Sequence, residues 1–240
     1  MSQRSAVPPA SRQELLAGNL GDRAGPAVSF ATTEHFNLQT ARAVTVSEAN
    51  GRASIYLAAV SSNLIALAFI GQMSRLGPAF YAFALILLPV LAFIGIVTFQ
   101  RLVQSSIEDI AYAQRIGRLR DFYLTLAPEL DPYILVVRDR HPSGVVGDQQ
   151  LFPSGRQLAL TAAGMVAVVN SVVTGACAGL LLATLGVGSL ALALAAGAVV
   201  GAAALSIQHH HHERARDTYT PEAIDRAAIF VPAAQPADAA

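Results

Sequence analysis

Gln157–Gln208 reads QLALTAAGMVAVVNSVVTGACAGLLLATLGVGSLALALAAGAVVGAAALSIQ, about 50 residues without one Asp, Glu, Lys or Arg. A single helix of that length would be about 75 Å long at 1.5 Å per residue. A hydrocarbon core is only about 30 Å thick and is crossed by about 20 residues. The run therefore has to turn back on itself. Gly186-Val187-Gly188-Ser189 is the natural place, because glycine supplies the backbone conformations of a tight turn.

Two shorter uncharged runs precede it, Ala53–Gly71 with 19 residues and Pro78–Phe99 with 22. Each is long enough to cross a bilayer once. Only 13% of the chain is charged, against about 25% in a soluble domain, and the deficit lies in these runs. The expected fold class is an all-α integral membrane protein. Four transmembrane helices, at about 53–72, 78–99, 159–184 and 188–207, form two hairpins, with cytoplasmic helical extensions of the first.

The first apolar run starts far from the N-terminus, behind five Arg, which does not fit a cleaved secretory signal. All basic residues are Arg, the mark of a GC-rich, bacterial coding sequence. Their placement sets the orientation. Five lie before the first span, one (Arg75) between the first and second, seven between the second and third, none in the last turn, and three in the tail. The positive-inside rule then puts both termini and the middle segment in the cytoplasm, across the bacterial inner membrane.

Residues 1–31, with Pro8-Pro9 and Gly25-Pro26, read as a disordered cytoplasmic N-terminus. Thr32 or Thr33 is a candidate N-cap for a helix running on into the first span, with Gly51 as its weak point. Beyond Phe99 the apolar residues Leu102, Val103, Ile107, Ile110, Ile116 and Leu119 keep helical spacing up to Pro128. The 32–127 region is thus a hairpin with two extended legs, either paired as a stalk or, for the second leg, lying on the inner membrane surface. Residues 128–157 form a cytoplasmic connector, 158–208 the second hairpin, and 209–240 a mostly disordered tail.

Membrane helices approach closely where small residues recur every four positions. Ser54, Ala58 and Ser62 do so in the first span, continuing to Ala66. Ser171, Gly175 and Gly179 do so in the third, and Gly197 and Gly201 in the fourth. These are the expected helix-packing residues. The second span is bulky and carries Pro89 near its middle, which suits a lipid-facing helix with a kink. Asn63 and Asn170 are the expected intramembrane polar contacts, since an amide in hydrocarbon favours facing protein.

No acidic or basic residue and no His lies inside a span. Proton- and ion-coupled transporters use such groups, and intramembrane hydrolases need a base, so neither class is expected. Cys177 stands alone and reads as an apolar filler. His209–His212 follow the last span directly and read as a polar anchor, with metal or pH sensing as the alternative. Glu108-Asp109 point to different helix faces and fit salt bridges to Arg101, Arg115 or the Arg42–Arg52 leg better than a catalytic pair. No phosphate loop, dinucleotide fingerprint, zinc spacing or nucleic-acid module occurs, so no cofactor, metal or nucleic-acid partner is expected.

The stretches Ser47–Ser54, Thr98–Val103, Ser106–Ile110 and Arg115–Tyr123 together resemble a group of uncharacterised bacterial multi-span membrane proteins. The resemblance covers about residues 45–130 and implies membrane localisation. In topology the chain is also similar to SLATT-type and cyclic-nucleotide-activated membrane effectors, which pair a transmembrane hairpin with cytoplasmic helices; the separate nucleotide-sensing domain that some of them carry is not found here. The functional expectation is a non-enzymatic membrane protein that forms homo-oligomers in the lipid bilayer, as a pore-forming or signalling effector. The alternative is an anchor or assembly factor that presents its cytoplasmic helices to a protein partner.

Overall fold

The computed structural model describes residues 24–130, 132–133, 161–186 and 189–217. Among them every regular element is a helix: α1 (Ala24–Met73), α2 (Pro78–Leu126), a 3-10 turn at Pro128–Leu130, α3 (Ala162–Thr184) and α4 (Leu190–Asp217). All four α-helices are long and apolar enough to cross a membrane. The chain is a multi-pass membrane protein in its architecture. The connector's apolar pentad at 133–137 and the tail beyond Asp217 lie outside the described residues, apart from Tyr133.

The helix boundaries correct the sequence reading at two places, the start of α1 and the end of α4. α1 starts at Ala24 rather than at Thr32 or Thr33, so the segment 24–31 is helical. The Thr32 and Thr33 hydroxyls do not cap. They donate back to the carbonyls of Val28 and Ser29, the bond a threonine makes inside a helix. α1 runs unbroken past Gly51 into the first apolar run, as expected, whereas α4 runs on through His209–His212 to Asp217, into the segment read as tail.

The caps of the second hairpin follow the local chemistry. Thr161 is extended, and its hydroxyl accepts from the Gly164 N–H at 3.1 Å to start α3. Ser189 does the same for the Leu192 N–H of α4 at 3.3 Å. Gly186 takes φ +69°, which ends α3 without a Cβ penalty. The α1–α2 turn is built differently. Arg75 (φ 50°) and Leu76 (φ 56°) both occupy the left-handed region, at a cost of about 1–2 kcal/mol each. The Leu76 N–H to Gly71 carbonyl bond (3.0 Å) and the Gly77 N–H to Ser74 carbonyl bond (2.8 Å) hold them there, and Pro78 starts α2 with its φ already fixed.

The described residues belong to two compact units. The first takes its residues from 24–44 and 110–133. Its buried side chains are Leu38 on α1 and Ile110, Ala113, Gln114 and Ile116 on α2. The ring of His35 meets that of Tyr123 at 6.0 Å, so the two legs are paired in this unit.

The second unit takes 45–109 and the described residues from 161 onward. Its core joins Ala53, Tyr56 and Val60 of α1, Ala84, Leu88, Leu91 and Phe99 of α2, and Val166, Ala167 and Val173 of α3. The second apolar run is therefore not a purely lipid-facing helix. Ala84, Leu88, Leu91, Gly95 and Phe99 give it a buried face, while Ile86, Val90 and Phe93 remain outside. Pro89 lies on that exposed side, and α2 continues past it as one helix.

Candidate functional site

The small-residue tracts of α3 and α4 meet each other. A Cβ placed on Gly175 would lie 2.6 Å from the Gly197 carbonyl oxygen, and one on Gly197 would lie 2.6 Å from the Gly175 carbonyl oxygen. A Cβ on Gly201 would come within 2.9 Å of the Ser171 carbonyl oxygen, and one on Gly179 within 3.1 Å of that of Ala193. Real Cβ atoms essentially never come within 3.0 Å of another heavy atom, so Gly175, Gly197 and Gly201 are what let these two backbones touch, while a Cβ at Gly179 would be tight but not excluded. Weak Cα–H to carbonyl contacts become available at such separations. The groove beside this seam has a volume of about 580 Å³. Its walls, from Val168 and Val172 to Leu194 and Leu205, are apolar, with Tyr81 of α2 at its edge.

Asn170 and Tyr56 form the polar centre of the same unit. Both are fully buried, and Tyr56 Oη donates to Asn170 Oδ1 at 3.3 Å. Gly95 of α2 completes the junction. A Cβ at that position would overlap the Asn170 amide and lie 2.6 Å from Tyr56 Oη. Three helices thus converge on one amide. Asn170 Nδ2 has no hydrogen-bond partner among the described residues. A buried unpaired amide costs about 1–3 kcal/mol, so close packing around it has to compensate. Asn63 behaves differently: its Nδ2 donates to the Ala59 carbonyl of its own helix at 2.7 Å and ties no second helix.

Ser54, Ala58 and Ser62 are not on the core face of α1. That face is Ala53, Tyr56, Val60 and Leu67, and the three small residues lie exposed on other sides of the helix. The Ser61 and Ser62 hydroxyls are satisfied by the carbonyls of Leu57 and Ala58. The exposed side of α1 has a spacing of its own. In the second unit, Ser47, Ser54, Ser61 and Ala68 recur every seven residues, alternating with Gly51, Ala58 and Ile65, and all are exposed. Taken by itself, the first unit also has a seven-residue spacing on α1, Thr33 and Thr40, alternating with Phe30, Asn37 and Val44, again all exposed. None of these positions is charged. Glu34, Arg42, Glu48 and Arg52 all fall between them. A seven-residue spacing is the signature of helices that pair along their length.

At one end of the apolar segment, charges link α1 to α2. Arg52 holds Glu48 at 2.7 Å, Arg101 approaches Glu48 at 3.8 Å, and Arg101 approaches Glu108 at 3.9 Å. The hydrogen bond from Arg52, then its charge, and more weakly the charge of Arg101, hold the Glu48 carboxyl below its usual range. These groups are exposed, and such pairs contribute little to stability. Glu108 thus faces Arg101, one of the partners anticipated for it.

The four histidines do not act together. His209 pairs with Glu213 at 3.1 Å, while His212 is buried and packs edge-on against Phe99, with centroids 6.2 Å apart. Among the described residues no group of three His, Cys, Asp or Glu side chains comes together.

Sequence reasoning missed Tyr56, Gly95 and the seven-residue spacing on α1. Gly95 had a visible signal, as the only glycine in a bulky span. The spacing was visible too, as Thr33, Thr40, Ser47, Ser54 and Ser61. Tyr56 had none, because nothing in one sequence pairs it with Asn170. Comparison with protein-family models, curated proteins and solved structures finds no match.

Proposed function

We propose that this chain is a non-enzymatic integral membrane protein that self-associates and works as a signalling or pore-forming effector in the bacterial inner membrane, with both termini in the cytoplasm. One observation carries the reading: the uncharged, seven-residue-spaced outward face of α1. Lipid tails make no demand for small or hydroxyl residues at such spacing, whereas a second helix does. In the first unit the residues of α1 at this spacing include Phe30 (78% exposed) and Val44 (59%), which in a lone chain would stand unpaired. A second copy inserted with the same orientation would present the identical row, in register and parallel. The α3–α4 tracts are already occupied by each other, so they are not free to serve this role.

The alternative, an anchor that presents its helices to a protein partner, is favoured by Phe36, which is 68% exposed and lies off the seven-residue row. Mass measurement of the purified protein in detergent, followed by ion-flux assays in vesicles, separates the readings. Oligomers with flux support a pore, and oligomers without flux support a signalling effector. A strict monomer that co-purifies with another protein contradicts self-association and supports the anchor.

A further inference from the structure

Among the described residues of the first unit, one histidine lies at the contact between its two legs. His35 of α1 is half-buried, with its ring against Tyr123 of α2 at 6.0 Å and 47°. The amide nitrogen of Gln39, one turn along α1, lies 3.5 Å from His35 Nε2. Nδ1 is buried without a hydrogen-bond partner among the described residues. From α2 the facing groups are the Tyr123 phenol and the Arg120 guanidinium, whose charge acts on His35.

We infer that His35 makes the pairing of these two legs pH-sensitive: the neutral imidazole keeps them closed, and protonation loosens them. Protonation places a cation beside Arg120 and a charge in a partly desolvated contact, on a ring whose Nδ1 is buried without a hydrogen-bond partner among the described residues. Burial first, and then Arg120, push the His35 imidazole below its ordinary value of 6.5. The sign follows by linkage. The unfolded leg takes up its proton near pH 6.5 and the folded one only at lower pH, so the stabilisation is complete above that value and is lost as pH falls below it. This switch stands independently of self-association, because every group in it belongs to one chain.

The test is a distance measurement between the legs of the full-length protein in detergent or bilayer. Nitroxide labels are placed on Thr32→Cys and Arg115→Cys in a Cys177→Ala background, and labelled chains are diluted with unlabelled protein so that only distances within one chain are read. The expected result is one narrow distance at pH 8 that broadens and lengthens by pH 5. His35→Phe, which keeps the ring contact without the titration, is expected to hold the narrow distance at both values. Arg120→Gln is expected to move the midpoint to higher pH. An unchanged wild-type distance between pH 8 and pH 5 overturns the inference, and so does an equal response in His35→Phe.

Discussion

The α3–α4 seam and the outward face of α1 are both built from small residues at regular spacing, yet their situations are opposite. In the seam, each glycine has a carbonyl oxygen of the facing helix where its Cβ would be. On α1, Gly51 has nothing within 4 Å of its Cβ position. The same kind of pattern is used up within the chain in one place and left open in the other. A small residue allows close approach without saying which helix approaches. What decides is the remaining surface. The seam has a neighbour supplied by a tight turn, whereas the core face of α1 is taken by bulky residues, Tyr56, Val60 and Leu67, which leaves its small residues pointing away.

The contrast can be broken most severely at the seam. Gly175→Leu puts a branched side chain where a Cβ alone would be 2.6 Å from the Gly197 carbonyl oxygen. Overpacking of this kind costs about 1–3 kcal/mol and sometimes more, and with backbone as the obstacle the upper end or beyond is expected. Thermal unfolding of the purified protein should fall sharply or fail to show a transition. Ala58→Leu on the open face has no neighbour within the chain to clash with, so it should lower the transition far less, by no more than the contact between copies that it removes. Equal loss in both variants would erase the distinction between the two faces.

A smaller but still large loss is expected at the three-helix junction. Gly95→Ala drives a methyl into the Asn170 amide and against Tyr56 Oη, where α1, α2 and α3 meet. Destabilisation of about 2–3 kcal/mol, at the overpacking range, should be seen in the same unfolding assay. Tyr56→Phe removes only the hydroxyl and its bond to Asn170. Interhelical hydrogen bonds in membranes average about 0.6 kcal/mol, so its effect should be the smallest of the three. A loss of several kcal/mol for Tyr56→Phe would mean that the hydrogen bond, rather than packing, holds the junction.

The fold class was legible because it rests on length and charge alone. Three uncharged runs, one of them twice too long for a single crossing, lead to four crossing-competent helices without any knowledge of contacts. The α3–α4 tracts were legible for a similar reason, since a tight turn obliges neighbouring small-residue faces to meet. The role of Ser54, Ala58 and Ser62 was not, because four-residue steps describe a helix's geometry and not which side faces its own core. Asn63 and Asn170 look alike in sequence. They differ in that Asn63 can reach the Ala59 carbonyl of its own helix, while Asn170 sits opposite Gly95 and Tyr56. The start of α1 was misplaced because Gly25-Pro26 reads as a breaker, although Pro is well tolerated in the first turn of a helix, where its missing N–H would have no partner.

The claim that the outward face of α1 joins two copies is tested most directly by cysteine cross-linking in membranes. In a Cys177→Ala background, Ser54→Cys and Ser61→Cys place thiols on the seven-residue row, and Ala59→Cys places one on another side of the same helix. The expected outcome is rapid disulfide-linked dimers from Ser54→Cys and Ser61→Cys, few from Ala59→Cys, and loss of the dimer when Ala58→Leu is added. Monomer throughout, or equal cross-linking at all three positions, would contradict it.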